Sequence, residues 1–121
     1  MMKTFTELKV WQKAHQFVLA IYRTTASFPT HERFGLVAQM RRASVSVAAN
    51  IAEGHQRRYR TEFSRFLSIA LGSLEETRYY LLLSTDLGFQ PCAALGHCLE
   101  LADEIGRMLE GLRKHIRRET T

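Results

Sequence analysis

At 121 residues, 45% apolar and 24% charged, the chain has the size of one domain and too much apolar content to be disordered. Lys and Arg total 17 against 12 Asp and Glu, a net charge of +5, which disfavours cationic partners and suits anionic ones or plain solubility. No apolar run reaches the roughly 18 residues of a membrane span, and Met1-Met2-Lys3-Thr4-Phe5 has no apolar signal core, so a cytoplasmic protein without a membrane partner is expected.

The periodicity predicts four helices, at about 6–27, 32–54, 61–87 and 91–118, within one domain, 1–121. In the first, Val10, Ala14, Phe17, Val18 and Ile21 recur at helical spacing. Thr6 is its expected N-cap, and Phe28-Pro29 ends it, because the residue before proline is pushed out of the α region. The second helix carries Val37, Met40, Ser44, Val47, Ala48 and Ile51 on one stripe, with Gly54 as the expected C′ residue. A basic loop follows, His55-Gln56-Arg57-Arg58-Tyr59-Arg60.

Thr61 is the expected N-cap of the third helix, whose core stripe is Phe63, Phe66, Leu67, Ala70, Leu74 and Leu81. Gly72-Ser73 falls in mid-helix and reads as a close-packing site. Pro91 suits the first position of the fourth helix, where its missing N–H costs nothing. Leu95, Cys98, Leu99, Ala102, Ile105, Leu109, Leu112 and Ile116 form that helix's stripe, and Arg113, Lys114, Arg117 and Arg118 make its end basic. Cations there also favour the helix C-terminus, which is the plainer explanation. Short breaks between long helices predict an all-α, antiparallel, up-down four-helix bundle.

Two helices have more to bury than a bundle needs. On the third, Ile69, Tyr80, Leu83 and Leu87 form a second stripe, with Leu71 and Leu82 on the other flank. On the second, small and polar side chains, Ser46 and Asn50 among them, lie away from the core stripe. Tight packing within the chain would explain part of this. Self-association explains the surplus on both helices, so Ser46, Asn50, Ile69, Leu71, Tyr80 and Leu83 are the expected oligomer interface.

No catalytic or metal-binding pattern appears. No glutamate has histidine three residues on, as a di-iron bundle requires, and Cys92 and Cys98 lack zinc spacing. Those two cysteines, six residues apart on one helix, point different ways and cannot bridge each other. Glu53, Glu76, Arg42 and Arg65 are suited to pairing between helices. A non-enzymatic binding module with no cofactor and no metal is expected. Thirteen of the 17 cations are arginine, the residue suited to bidentate phosphate contact. Arg57, Arg58, Arg60 and Arg65, with Tyr59 among them, are the candidate contacts to RNA or DNA, and Arg41 and Arg42 are weaker candidates.

The segment Gln39-Met40-Arg41-Arg42-Ala43-Ser44-Val45-Ser46-Val47-Ala48-Ala49-Asn50-Ile51-Ala52-Glu53-Gly54 resembles the signature of a bacterial four-helix-bundle family. That family is named for reading frames in intervening sequences of large-subunit ribosomal RNA genes. Glu62-Phe63, Phe66 to Ser73 and Glu76 look like its second signature, and Leu8 to Ala14 and Phe28-Pro29 also fit, so the resemblance covers residues 5 to about 115. It implies a four-helix bundle assembling as a homopentameric ring. It also implies similarity to the accessory protein of diversity-generating retroelements, a basic pentamer that associates with a reverse transcriptase and with nucleic acid. Two positions depart from the pattern: Ala48 stands where proline is common, and Leu71 where a basic residue is common. The first implies a straighter second helix. The second favours a contact role for that face of the third helix over nucleic-acid binding. A purely protein-binding ring without nucleic-acid binding is the alternative.

Overall fold

The computed structural model describes residues 4–90 and 92–120, without the side chains of Cys92 and Thr120. It is built of four α-helices: α1 (Lys9–Thr25), α2 (Leu36–His55), α3 (Arg60–Asp86) and α4 (Cys92–Thr120). No strand occurs among the described residues. Each helix packs on the next, and α4 returns to pack on α1. Connections at 56–59 and 87–91 are too short for a parallel return, so successive neighbours run antiparallel. The expected bundle is present. Pro91, the expected first residue of α4, lies outside the described residues.

Helix starts differ from expectation because short 3-10 turns precede α1 and α2. Phe5–Glu7 forms the first, so α1 begins at Lys9 with Leu8 at the N-cap, and Thr6 caps nothing. Instead Thr6 offers its carbonyl to Gln12 Nε2 at 2.9 Å. Thr30–Glu32 forms the second, and Glu32 Oε1 accepts the free N–H of Leu36 at 3.3 Å, an acidic cap at the positive end of α2. Tyr59, not Thr61, is the N-cap of α3.

The end of α3 follows the sequence closely. Gly88 has φ +78°, Gly88 N donates to Thr85 O and Phe89 N to Ser84 O, both at 2.9 Å. This is the Schellman arrangement, in which the left-handed residue is usually glycine. It turns Phe89 back onto Phe28, with ring centroids 5.6 Å apart, so two connections plug the same end of the bundle.

The α2 stripe is buried at every expected position. On the other helices Val18, Leu95, Leu99 and Leu112 are only half-buried and flank the core, and Phe66 is half-buried over Gly54. The centre of α4 is Cys98, Ala102, Ile105, Leu109 and Ile116. Thr25, Ser44, Thr77 and Ser84 are buried too. Their hydroxyls donate to carbonyls one turn back, of Ile21, Arg41, Ser73 and Leu81, at 2.8–3.0 Å. Each hydroxyl proton is thereby satisfied within its own helix, and Thr25 Oγ1 and Ser84 Oγ also accept, from Arg41 Nε and Gln90 Nε2.

Gly54 does not end α2. It is buried inside the last turn, and a Cβ there would come 2.6 Å from Phe66 Cβ and 2.9 Å from Phe63 Cδ1. Glycine is required at this position so that α3 can approach. Gly72, by contrast, is exposed, and a Cβ there would meet nothing within 4 Å. The close-packing residue is its neighbour Ser73, whose Oγ lies 2.8 Å from Ser46 Oγ across the α2–α3 seam.

Candidate nucleic-acid interface

The link at 56–59 is where the sequence concentrates arginine. Gln56 and Arg57 bond back to the carbonyls of Glu53 and Gly54, and Tyr59 then caps α3. The turn is tight, so its side chains point outward: Arg57, Arg58, Tyr59 and Arg60 are all exposed. Arg57 Nη2 bonds Glu53 Oε1 at 2.7 Å, and its guanidinium lies 4.8 Å from the centre of the Phe66 ring. Arg65 lies 5.8 Å from the same ring, and Arg58 lies 5.5 Å from that of Tyr59. The cations are thus spread over aromatic faces, which hold them in place and leave their edges toward water.

The up-down topology brings the C-terminal turns of α4 to this same end. Arg60 Nη2 bonds Glu119 Oε2 at 2.9 Å, and Glu119 Oε1 also lies 2.6 Å from His115 Nε2. That contact brings the last turns of α4, which carry Arg113, Lys114, Arg117 and Arg118, to the same end of the bundle as the arginine-rich link, with Arg113 bonded to Glu110 at 3.0 Å. In the sequence these four read only as a basic helix C-terminus. The signal that could have found them is the helix count: in a four-helix up-down chain, the fourth helix ends beside the second turn.

Arg41 and Arg42 are not part of this surface. They lie roughly 22 Å along α2 from Arg57 at the usual rise per residue. Arg41 braces α1: its Nε donates to Thr25 Oγ1 at 3.0 Å, its Nη2 to Tyr22 O at 3.3 Å, and its guanidinium stacks 4.4 Å from the Tyr22 ring centre. Arg42 is exposed and lines a shallow hollow of about 180 Å³ with Gln39, Ser46, Ser73 and Glu76. The pairing expected among Glu53, Glu76, Arg42 and Arg65 gives way to local contacts: Glu53 takes Arg57, Glu76 takes Tyr80, and Arg65 lies against Phe66.

The six expected interface residues divide between two faces. Ser46 and Asn50 are half-buried in the α2–α3 seam, where Asn50 Nδ2 donates to Ser46 O and Oγ at 2.8 and 3.0 Å. Ile69, Ser73, Glu76, Tyr80 and Leu83 follow at three- and four-residue spacing, so they run along the same side of α3. Tyr80 Oη reaches Glu76 Oε2 at 2.7 Å and Gln39 Oε1 at 2.9 Å. A phenol has one proton, and the shorter, charge-assisted bond takes it. Gln39 can then donate to the phenol oxygen with its amide turned end for end. The bond to Glu76, then burial and the carboxylate's charge, raise the Tyr80 hydroxyl above its ordinary pKa. Leu71 lies elsewhere, in an open groove of about 520 Å³ between α3 and α4 beside Gly106. There Arg78 bridges Glu75 at 2.9 Å and Asp103 at 2.6 Å.

Among the described residues, no three His, Cys, Asp or Glu side chains could hold a metal ion, and no helix is long and apolar enough to cross a membrane. Cys98 is a buried free thiol, and burial raises its pKa.

The class the described residues define is an all-α four-helix bundle. Residues 6–111 match the profile of the 23S rRNA-intervening sequence protein family, and the chain belongs to that family. Its fold is similar to a crystal structure of a protein of unknown function from the S23 ribosomal protein family of Bacteroides thetaiotaomicron. The two are 27% identical, with a TM-score of 0.78, over 87% of this chain and 98% of that one. No curated protein matches the chain.

Proposed function

We propose that this protein is a non-enzymatic, homo-oligomeric binding module that holds nucleic acid by its phosphates. The observation that carries the reading is the Arg60–Glu119 contact, which joins two basic segments far apart in sequence into one cationic end. Paired cations such as Arg57 and Arg60 sit at exposed bridges, and exposed pairs are worth little, so a phosphate can replace the carboxylate. No helix is positioned as a groove reader and no multi-aromatic platform is present among the described residues, so contact is to the backbone and independent of base sequence. A reverse transcriptase is a further partner suggested by the family resemblance.

Binding to RNA, duplex DNA and single strands, measured across salt concentrations, tests this. Affinity should fall steeply with salt, with a log–log slope of roughly 0.9 per phosphate neutralised on duplex DNA. Changing Arg57, Arg58 and Arg60 together to alanine should weaken binding to every nucleic acid and flatten the slope while leaving helicity unchanged. Arg41→Ala should lower stability instead, because it removes the brace on Thr25 and Tyr22. A triple variant that binds as the parent does, or a parent that binds nothing near physiological salt, favours the protein-binding ring.

A further inference from the structure

The carboxylates are unevenly distributed. From Leu8 to Ala52 the chain has six Lys and Arg and a single carboxylate, Glu32. That one is engaged as the cap of Leu36 N. From Glu53 onward, cations and carboxylates balance at ten each. The whole net charge therefore belongs to α1, α2 and their connection.

The outer α1–α2 face is also apolar at its centre. Leu19, Tyr22 and Val45 are 43%, 42% and 40% exposed. They adjoin one another: Tyr22 stacks on Arg41, Val45 is one turn along α2 from Arg41, and Leu19 is one turn along the antiparallel α1 from Tyr22. Half-buried Trp11, stacked on His15 with ring centres 5.1 Å apart, continues the row. Arg42 and Arg23 are exposed nearby.

We propose that this face docks an amphipathic helix of another protein whose polar positions carry Asp and Glu. The apolar floor receives the partner's apolar row, and the net positive charge of α1 and α2, with Arg23 and Arg42 exposed (Arg42 beside Glu76 of α3, and Lys13 bridged to Glu104 of α4), selects acidic flanks and repels basic ones. Nucleic acid fits less well, since Leu19 and Val45 offer phosphate nothing and Arg41 is already engaged with α1. The centre of the face, at Leu19, Tyr22 and Val45, lies away from the cationic end, although its Trp11 edge reaches toward that end through Phe5, which lines a hollow with His55 and Gln56, so the proposal goes beyond the nucleic-acid reading.

Trp11 is the sole tryptophan, so its fluorescence reports on this face. The probes are two synthetic helical peptides with the same row of leucines, one with glutamate and the other with lysine at the polar positions. The glutamate peptide should bind at least about tenfold more tightly and shift the Trp11 emission. Val45→Glu should abolish the difference, with Arg42→Glu as the second variant should Val45→Glu lose helicity. The Arg57, Arg58, Arg60 triple alanine variant should bind the peptide as the parent does, even where it no longer binds nucleic acid. Equal binding of the two peptides, retention of the difference in both variants, or its loss in the triple variant would overturn the proposal. So would a fall in the parent's assembly mass on Val45→Glu, because a second copy would then cover the face.

Discussion

Gly54 and Phe66 meet so closely that a single added methyl would place two Cβ atoms 2.6 Å apart. Phe66 Cβ is fixed to its own backbone, so the clash cannot be relieved by a side-chain rotation. In Gly54→Ala, overpacking costs about 1–3 kcal/mol, against at most about 1 kcal/mol gained in helix propensity. The urea midpoint should fall. A rise would mean that α2 and α3 can part here freely.

The α4 core makes a graded pair of predictions. Leu109 is fully buried, and Leu109→Ala should destabilise by about 2–5 kcal/mol. Leu99 was an equal candidate by periodicity, but it is half-buried on the flank, and Leu99→Ala should lose clearly less. Denaturant titrations of both variants check the order, and a reversed order would refute the α4 packing.

Tyr80 predicts a specific alkaline sensitivity. Its folded pKa lies above the ordinary phenol value of about 10. Below that value folded and unfolded chains both keep the proton, and the bond to Glu76 contributes in full. As pH rises past it, the unfolded chain releases the proton first, so stability falls until the folded phenol ionises as well. Tyr80→Phe should show a shallower fall in the urea midpoint over the same alkaline range. Parallel curves for the two proteins would remove Tyr80 as the cause.

The proposed self-association is tested at the same seam. Ile69 is exposed and Leu83 half-buried on the side of α3 that carries Tyr80. Light scattering should give several times the 13.9 kDa chain mass, five times if the family resemblance extends to subunit number. Leu83→Glu should split the assembly more than it unfolds the subunit, because an unpaired charge is costly to bury. A clean monomer of the parent, or an assembly indifferent to the change, would count against the interface.

The helices were legible because burial imposes a three-to-four-residue rhythm, and the α2 stripe shows it without a miss. Helix starts were less so: Thr6 and Thr61 have the right chemistry for caps, but 3-10 turns and Tyr59 took those places. Gly54 was misread because a glycine near a helix end looks the same whether it supplies a left-handed turn or room for a neighbour. Of the candidate site, the link arginines were visible as a cluster. Their union with Arg113, Lys114, Arg117 and Arg118 was not, since it depends on which ends of the helices share a level. Arg41 shows the converse. It reads as a surface cation, and only the position of Tyr22 and Thr25 reveals its attachment to α1.

The short link at 56–59 also bears on the order of events in folding. It joins two helices whose contact at Gly54, Phe63 and Phe66 is only about ten residues apart in sequence, so the loop-closure entropy to be overcome there is small. The α2–α3 hairpin is therefore expected to form its native contacts before α1 docks, a nucleus set by proximity along the chain that folding kinetics of variants in this corner would test. Mutations in that corner should slow folding, whereas truncations such as Leu109→Ala in α4 should chiefly speed unfolding.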